Sequence, residues 1–141
     1  MELEIPLRAV ETTDLDRALA AAEQNENLNQ QYYDLFLNTE IFIPLVERPD
    51  TSVEPIAIKP LLMEVAGELR LMLFDTEERL YAWGSPDMEF AAMPGYETVE
   101  MMSAEFPWIL NAGTEHPKEF NREEIQWLKQ SMEEVGVTQP S

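Results

Sequence analysis

Apart from its carboxylates, this chain has few side chains able to do chemistry. His116 is the only histidine, and it stands beside Pro117 in a polar stretch. It could serve as a general base, but nothing nearby in sequence marks a nucleophile for it, so a solvent-facing loop histidine is the simpler reading. The absence of cysteine removes disulfides, thiolate catalysis, zinc fingers and iron–sulfur clusters together. Only five glycines are present, with no Gly-x-Ser-x-Gly elbow, phosphate-cradling loop or Gly-x-Gly-x-x-Gly run, which argues against nucleotide chemistry. Asp14-x-Asp16 and Glu97-x-x-Glu100 lack the glycine and terminal Glu of a calcium loop and read as solvated helix faces. Among 28 acids some pair must lie close, so carboxylate pairing by itself carries no signal for acid–base catalysis. The expectation is a protein without catalytic residues, cofactor or metal.

Two constellations are worth carrying forward. Asp75-Thr76-Glu77-Glu78-Arg79 and Asn111-Ala112-Gly113-Thr114-Glu115 each follow a predicted strand, so both could lie at one end of a sheet. A polar cleft would then be lined by Asp75, Glu77, Glu78, Arg79, Asn111, Thr114 and Glu115, with Arg79 as its only nearby cation in sequence. The competing and favoured structural reading has Asp75 and Glu78 capping a helix, Gly113 permitting a turn and Glu115 paired with an arginine. The second constellation lies between Arg79 and Lys118, where no Lys or Arg occurs while Asp87, Glu89, Glu97, Glu100, Glu105 and Glu115 accumulate. Met88, Phe90, Met93, Tyr96, Met101, Met102, Phe106 and Trp108 are interleaved with them. Flexible methionines framed by carboxylates can accept a basic amphipathic segment, which makes Glu89, Tyr96, Glu97, Glu100 and Met101 a candidate partner surface. Core packing is the expectation for most of the apolar members.

These residues must be positioned by one modest domain. A length of 141 residues, 45% of them hydrophobic, suits one core, with an extended arm over 1–12, a domain over 13–134 and a flexible tail over 135–141. The formal charge of -19 repels phosphate backbones and anionic lipid, so neither nucleic acid nor membrane is an expected partner. General solubilisation is the plain reading of that acidity; steering toward a basic or amphipathic protein partner is the sharper one. No apolar run approaches the roughly 20 residues of a membrane span, and Met1-Glu2-Leu3-Glu4-Ile5 lacks the basic region of a signal peptide. A cytoplasmic location is therefore expected.

Along the chain, residues 2–7 alternate like an arm or edge strand. Thr13-Asp14-Leu15-Asp16 opens a helix carrying Leu15, Leu19 and Ala22 on one face, and Asn27 with Gln30 is a plausible cap for a second helix carrying Leu28, Tyr32, Leu35 and Phe36. Ile41–Val46 reads as a short buried strand that lies at an edge or carries a bulge, because it contains Pro44. Ile56–Ile58 and Leu61–Val65 read as short strands, the latter turning through Ala66-Gly67-Glu68 into Leu69–Phe74 as a hairpin. Helices follow from about Asp75 to Trp83, from Pro94-Gly95 to about Ser103, and after an Asn121/Glu124 cap; strands are expected at Met88–Met93 and Phe106–Leu110. The fold class is α+β: a central, mainly antiparallel or mixed sheet with helices against it, two at the N-terminus and one at the C-terminus. Leu71, Leu73, Ile109, Ile125 and Leu128 are expected to share one core.

Asn38-Thr39-Glu40-Ile41-Phe42-Ile43-Pro44-Leu45, Phe74 through Leu80, and Leu110 through Glu115 followed by Glu119-Phe120 resemble the amino-terminal domain of the SseB (enhanced serine sensitivity) family. Ala112 stands where a proline is expected between Asn111 and Gly113, and no room remains for the carboxy-terminal domain of longer members. The family name records a phenotype rather than a reaction. The resemblance implies association with other proteins, since related domains occur near bacterial secretion and toxin–immunity systems. The expected function is non-enzymatic protein binding or regulation. An immunity or inhibitor protein that neutralises a basic toxin through its acidic face is the alternative, and an uncharacterised enzyme stands third.

Overall fold

The computed structural model describes residues 12–49, 52 and 58–135. The arm over 2–7, most of the expected Ile56–Ile58 strand and the tail beyond Val135 lie outside the described residues. Helix α1 (Asp14–Gln24) starts at Thr13, whose side chain accepts from the Asp16 N–H while Asp16 reaches back to the Thr13 N–H. Two donors that the first turn leaves unpaired are satisfied in this way. Asn25 ends α1 and caps a short 3-10 turn over Glu26–Leu28, where the sequence had suggested Asn27 with Gln30 as the cap. Helix α2 (Asn29–Leu37) follows directly, with no side-chain cap of its own. The shorter Asx contact, Asn27 N–H to Asn25 Oδ1 at 3.0 Å, won because it needs no reach across a helical turn.

Strand β1 (Glu40–Pro44) carries Pro44 only as its last residue, which costs the ladder little. Strands β2 (Leu62–Val65) and β3 (Glu68–Leu73) form the expected hairpin. Its two turn residues both have positive φ, Ala66 at 55° and Gly67 at 84°, the geometry that matches the twist of paired strands. Helix α3 (Glu77–Trp83), strand β4 (Phe90–Pro94), helix α4 (Gly95–Met101) and strand β5 (Trp108–Leu110) come next. A strand the sequence had assigned to no element, β6 (Lys118–Phe120), precedes helix α5 (Arg122–Val135). The α5 start carries the expected cap, Glu124 N–H to Asn121 Oδ1 at 2.8 Å, and the helix continues through Val135, which had been assigned to the tail.

Four strands form a mixed sheet in the order β2-β3-β5-β6, with β3 and β5 parallel and the outer pairs antiparallel. β1 and β4 form an antiparallel pair joined to the larger sheet through reciprocal bonds between Phe42 and Phe74, 2.7 and 3.0 Å long. This is the α+β class the sequence implied. Helices cover one face of the four-stranded sheet, burying Leu71, Leu73, Trp108, Leu110 and Phe120 with Tyr32, Phe36, Ile125, Leu128 and Met132.

The expected core is corrected at one position. Ile109 pairs with Met72 across the β3–β5 ladder, and both point to the opposite face, where Phe74 and Leu80 form a second cluster with Phe42, Tyr81, Trp83, Met88 and Phe90. Alternation along a strand sends Ile109 away from Trp108 and Leu110. The methionine and aromatic set is divided between the two faces as well: Met88 and Phe90 pack in the second cluster, while Met93, Tyr96, Met102 and Trp108 pack in or against the first. Gly95 is required by close approach, since a Cβ there would lie 2.0 Å from the Phe36 carbonyl oxygen. That contact seats α4 against the end of α2. Among the described residues no helix is long and apolar enough to cross a membrane.

Candidate functional site

The two polar segments do meet at one end of the sheet. β3 and β5 run parallel, so the chain leaving each emerges on the same side, the carboxyl ends where open sheets form crevices. After β3, Thr76 rather than Asp75 caps α3, accepting from the Arg79 N–H at 3.1 Å. Asp75 is thereby free to point inward. Its Oδ1 accepts from Arg79 Nη1 at 3.1 Å and its Oδ2 accepts the Thr13 hydroxyl at 2.6 Å. Arg79 also grips Asp16 with both terminal nitrogens, at 3.0 and 2.5 Å. After β5, Asn111 adopts φ 63°, a left-handed conformation that asparagine tolerates. Its N–H donates to the Leu73 carbonyl at 2.7 Å, and its side-chain oxygen accepts the Asp75 N–H at 3.1 Å.

The charged and amide groups of this network are buried: Asp16, Arg79 and Asn111 are 2%, 3% and 1% exposed. Burial pushes the Asp16 carboxyl up, but the Arg79 hydrogen bond, the Thr13 N–H and the Arg79 charge outweigh it and hold the group below its ordinary 3.8. The arrangement ties the start of α1 to the ends of β3 and β5. A buried ion pair satisfied on several sides in this way contributes geometry and register more than net stability.

In front of this network lies a cavity of about 560 Å³ whose wall includes Asp16, Arg79, Trp83, Thr114, Glu115 and His116. Of the expected cleft residues, Arg79, Thr114 and Glu115 reach it. Asp75 and Asn111 are buried and act from behind. Glu77 and Glu78 open onto a separate depression with Thr39, Glu40 and Phe42, because helical geometry turns them away from Arg79. Glu115 is exposed and makes no ion pair with an arginine among the described residues, contrary to expectation. Asp16, read as part of a solvated helix face, is the main residue that sequence reasoning missed. Its capping role was legible at a spacing of three, but its grip on Arg79 spans 63 positions and leaves no local trace. His116 is half-buried in the cleft wall rather than solvent-facing, and its N–H donates to Thr114 Oγ1 at 3.2 Å. Replacing His116 by Ala is expected to change stability by no more than about 0.5 kcal/mol in urea titration, since that bond belongs to the backbone. A larger loss would show that the ring itself braces the loop.

The candidate partner surface is only partly contiguous. Tyr96 and Glu97 are half-buried on α4 while Glu100 and Met101 are exposed at its end, Met101 by 52%. Glu89 lies beyond the opposite end of β4, roughly 13 Å of strand away, where it pairs with Arg48 at 3.4 Å. Basic groups from elsewhere in the chain also enter the stretch that lacks them in sequence. Lys129 Nζ donates to the Val99 and Met102 carbonyls at 2.5 and 2.7 Å, neutralising the end of α4; burial lowers its pKa, with Glu100 opposing. Arg122 Nε donates to the Glu105 carbonyl at 2.7 Å. Beside Met101 is an apolar groove of about 360 Å³ lined mainly by Ile58, Pro60, Leu62, Leu71 and Phe106.

A family model for the SseB protein N-terminal domain matches residues 15–127. The chain belongs to the SseB family. No curated protein and no solved structure matches the chain. The three segments that carry the resemblance prove to be neighbours in this SseB domain. Phe42 bonds Phe74, and Asn111 takes the Asp75 N–H, so the motif residues converge where the middle of β1 meets the carboxyl ends of β3 and β5. That convergence gives them a structural role, holding the strand ends together, independent of any ligand. Ala112, at the position where a proline is expected, packs against the second cluster of the SseB domain.

Proposed function

We propose that this SseB domain is a cytoplasmic, non-enzymatic protein-binding or regulatory module whose partner presents a basic, amphipathic segment. The observation that carries the reading is the apolar groove beside exposed Met101, with Glu100 adjacent, in a chain of net charge -19. An apolar trough with anionic neighbours suits a segment that pairs lysine or arginine with large apolar side chains. The cleft supports the same reading from the other side. Its strongest polar groups, Asp16, Arg79 and Asp75, are bonded to one another and serve the fold.

The test uses synthetic peptides of lysine and valine as probes and follows association by stopped flow. Long-range attraction accelerates encounter and fades with salt, while apolar contacts govern dissociation. Replacing Glu97 and Glu100 together by Gln is expected to slow association several-fold and flatten its salt dependence between about 50 and about 500 mM. The same charge change at Glu2 and Glu4, far away in sequence, is the control. Binding that is insensitive to salt, or a control pair with an equal effect, would show that the acidity is general solubilisation.

A further inference from the structure

We propose that the partner binds as an added β-strand on the outer edge of β2, its apolar side chains entering the groove over Leu62 and Leu71; this rests on the protein-binding reading and specifies its mode. The hydrogen-bond pattern shows which groups are on offer. In an antiparallel pair, residues facing each other alternate between bonded and non-bonded. Leu71 sends its N–H the other way, to the Pro107 carbonyl at 3.0 Å, so its partner Leu62 sits in a non-bonded pair, and so does Glu64 opposite Leu69. The N–H and C=O groups of Leu62 and Glu64 therefore point away from β3. Leu61, one residue earlier, donates to the Pro44 carbonyl at 2.8 Å, which places β1 on the β3 side as well. Among the described residues nothing pairs with the outer edge.

Sheet edges of this kind are normally blunted, because they recruit strands. Here Pro60 blunts only the start. The hairpin then carries apolar side chains on both faces: Met63 and Val65 are 38% and 39% exposed on one, and Leu69 is 43% exposed on the other. Leu69 shares its face with Leu62 and Leu71, so the groove and the hairpin form one apolar strip beside the outward-pointing backbone groups of β2. An incoming strand would bond Leu62 and Glu64 and place alternate side chains on each face.

Charge selects the occupant. Glu64 is exposed on the edge strand itself, and Glu100 and Glu105 adjoin the groove residues Met101 and Phe106. A second copy of this chain would bring another -19 and set like charges against each other across the new ladder. A basic strand reverses both terms. The partner is accordingly an extended segment of another protein in which apolar residues alternate with Lys or Arg.

The experiment compares two peptides of about ten residues with the same valine and lysine content, one alternating with the strand period and one arranged with the helix period. Amide exchange is read by NMR in the free protein and in each complex. In the free protein, the Leu62 and Glu64 amides should exchange fast and those of Met63 and Val65 slowly; protection at Leu62 and Glu64 would mean that another segment of the chain covers the edge, and would overturn the proposal. The alternating peptide should slow exchange at Leu62 and Glu64 by about tenfold or more at saturation. Glu64→Lys should weaken it by about tenfold at low salt, Glu64→Gln by less, and Glu64→Pro should abolish binding, because it removes an outward N–H while sparing the bonds to β3. If Glu64→Pro unfolds the hairpin, the exchange data and Glu64→Lys still decide. Binding with the Leu62 and Glu64 amides unchanged overturns the strand mode. Preference for the helix-period peptide also overturns it but leaves protein binding standing, whereas failure of both peptides removes both readings. A dimer that protects the same amides overturns the choice of occupant.

Discussion

Replacing Arg79 by Ala is expected to destabilise the domain by about 3–5 kcal/mol, a large part of a typical stability, because it leaves two dehydrated carboxylates without their cation. Arg79 is 3% exposed and bonds both Asp16 and Asp75, so its removal leaves two buried carboxylates whose route to water is the adjoining cavity. Urea titration followed by circular dichroism would measure the loss. Arg79→Lys should fall between wild type and Ala, since an ammonium keeps the charge but cannot reproduce the two-pronged grip on Asp16. The acid limb of the stability curve reports the same network. Asp16 has a folded pKa held below 3.8, so its contribution is fully present above that value and is lost as pH falls through the lower folded pKa. In Arg79→Ala that part of the acid dependence should disappear or reverse. An Arg79→Ala loss below about 1 kcal/mol would mean that the carboxylates find solvent, and the network would then be a surface feature.

Leu73→Ala should cost about 2–5 kcal/mol by loss of buried apolar surface and creation of a cavity. Leu73 is 0% exposed, in the layer that includes Phe36, Leu110 and Phe120. It also lies on the strand whose last carbonyl holds the Asn111 N–H, so relaxation into the cavity is resisted by the backbone on both sides. Ile109→Ala provides the contrast. Its side chain lies on the other face and is only half-buried, so a smaller loss is expected. Equal losses at the two positions would contradict the register Met72↔Ile109 and Leu73↔Leu110.

What could be read from the sequence was local in range. The start of α1 at Thr13-Asp14-Leu15-Asp16 and the cap at Asn121 depend on residues within three positions, the hairpin turn on Ala66-Gly67-Glu68, and the helical stripes of α1, α2 and α5 on a period that any window of about ten residues displays. Those elements lie close to where the pattern places them. Strand β6 was missed because Lys118-Glu119-Phe120 has one buried residue between polar neighbours, too short a signal for alternation. The end of the sheet at which Asp75–Arg79 and Asn111–Glu115 meet was also legible, since both segments follow strands. Which of their side chains enter the cleft was not.

The sequence by itself determined the absence of thiol chemistry, the large negative charge, the α+β class and the SseB resemblance, because each is a property of composition, period or a short ordered motif. Tertiary structure alone decided the remainder. It turned Ile109 to the second cluster, joined Asp16 to Arg79, brought Lys129, Arg122 and Arg48 to the acidic stretch, and left the outer edge of β2 without a strand partner among the described residues. The physical reason is common to all four. Burial, pairing and strand order are set by contacts between residues tens of positions apart, and a side chain's charge or polarity does not record which distant neighbour removes it from water.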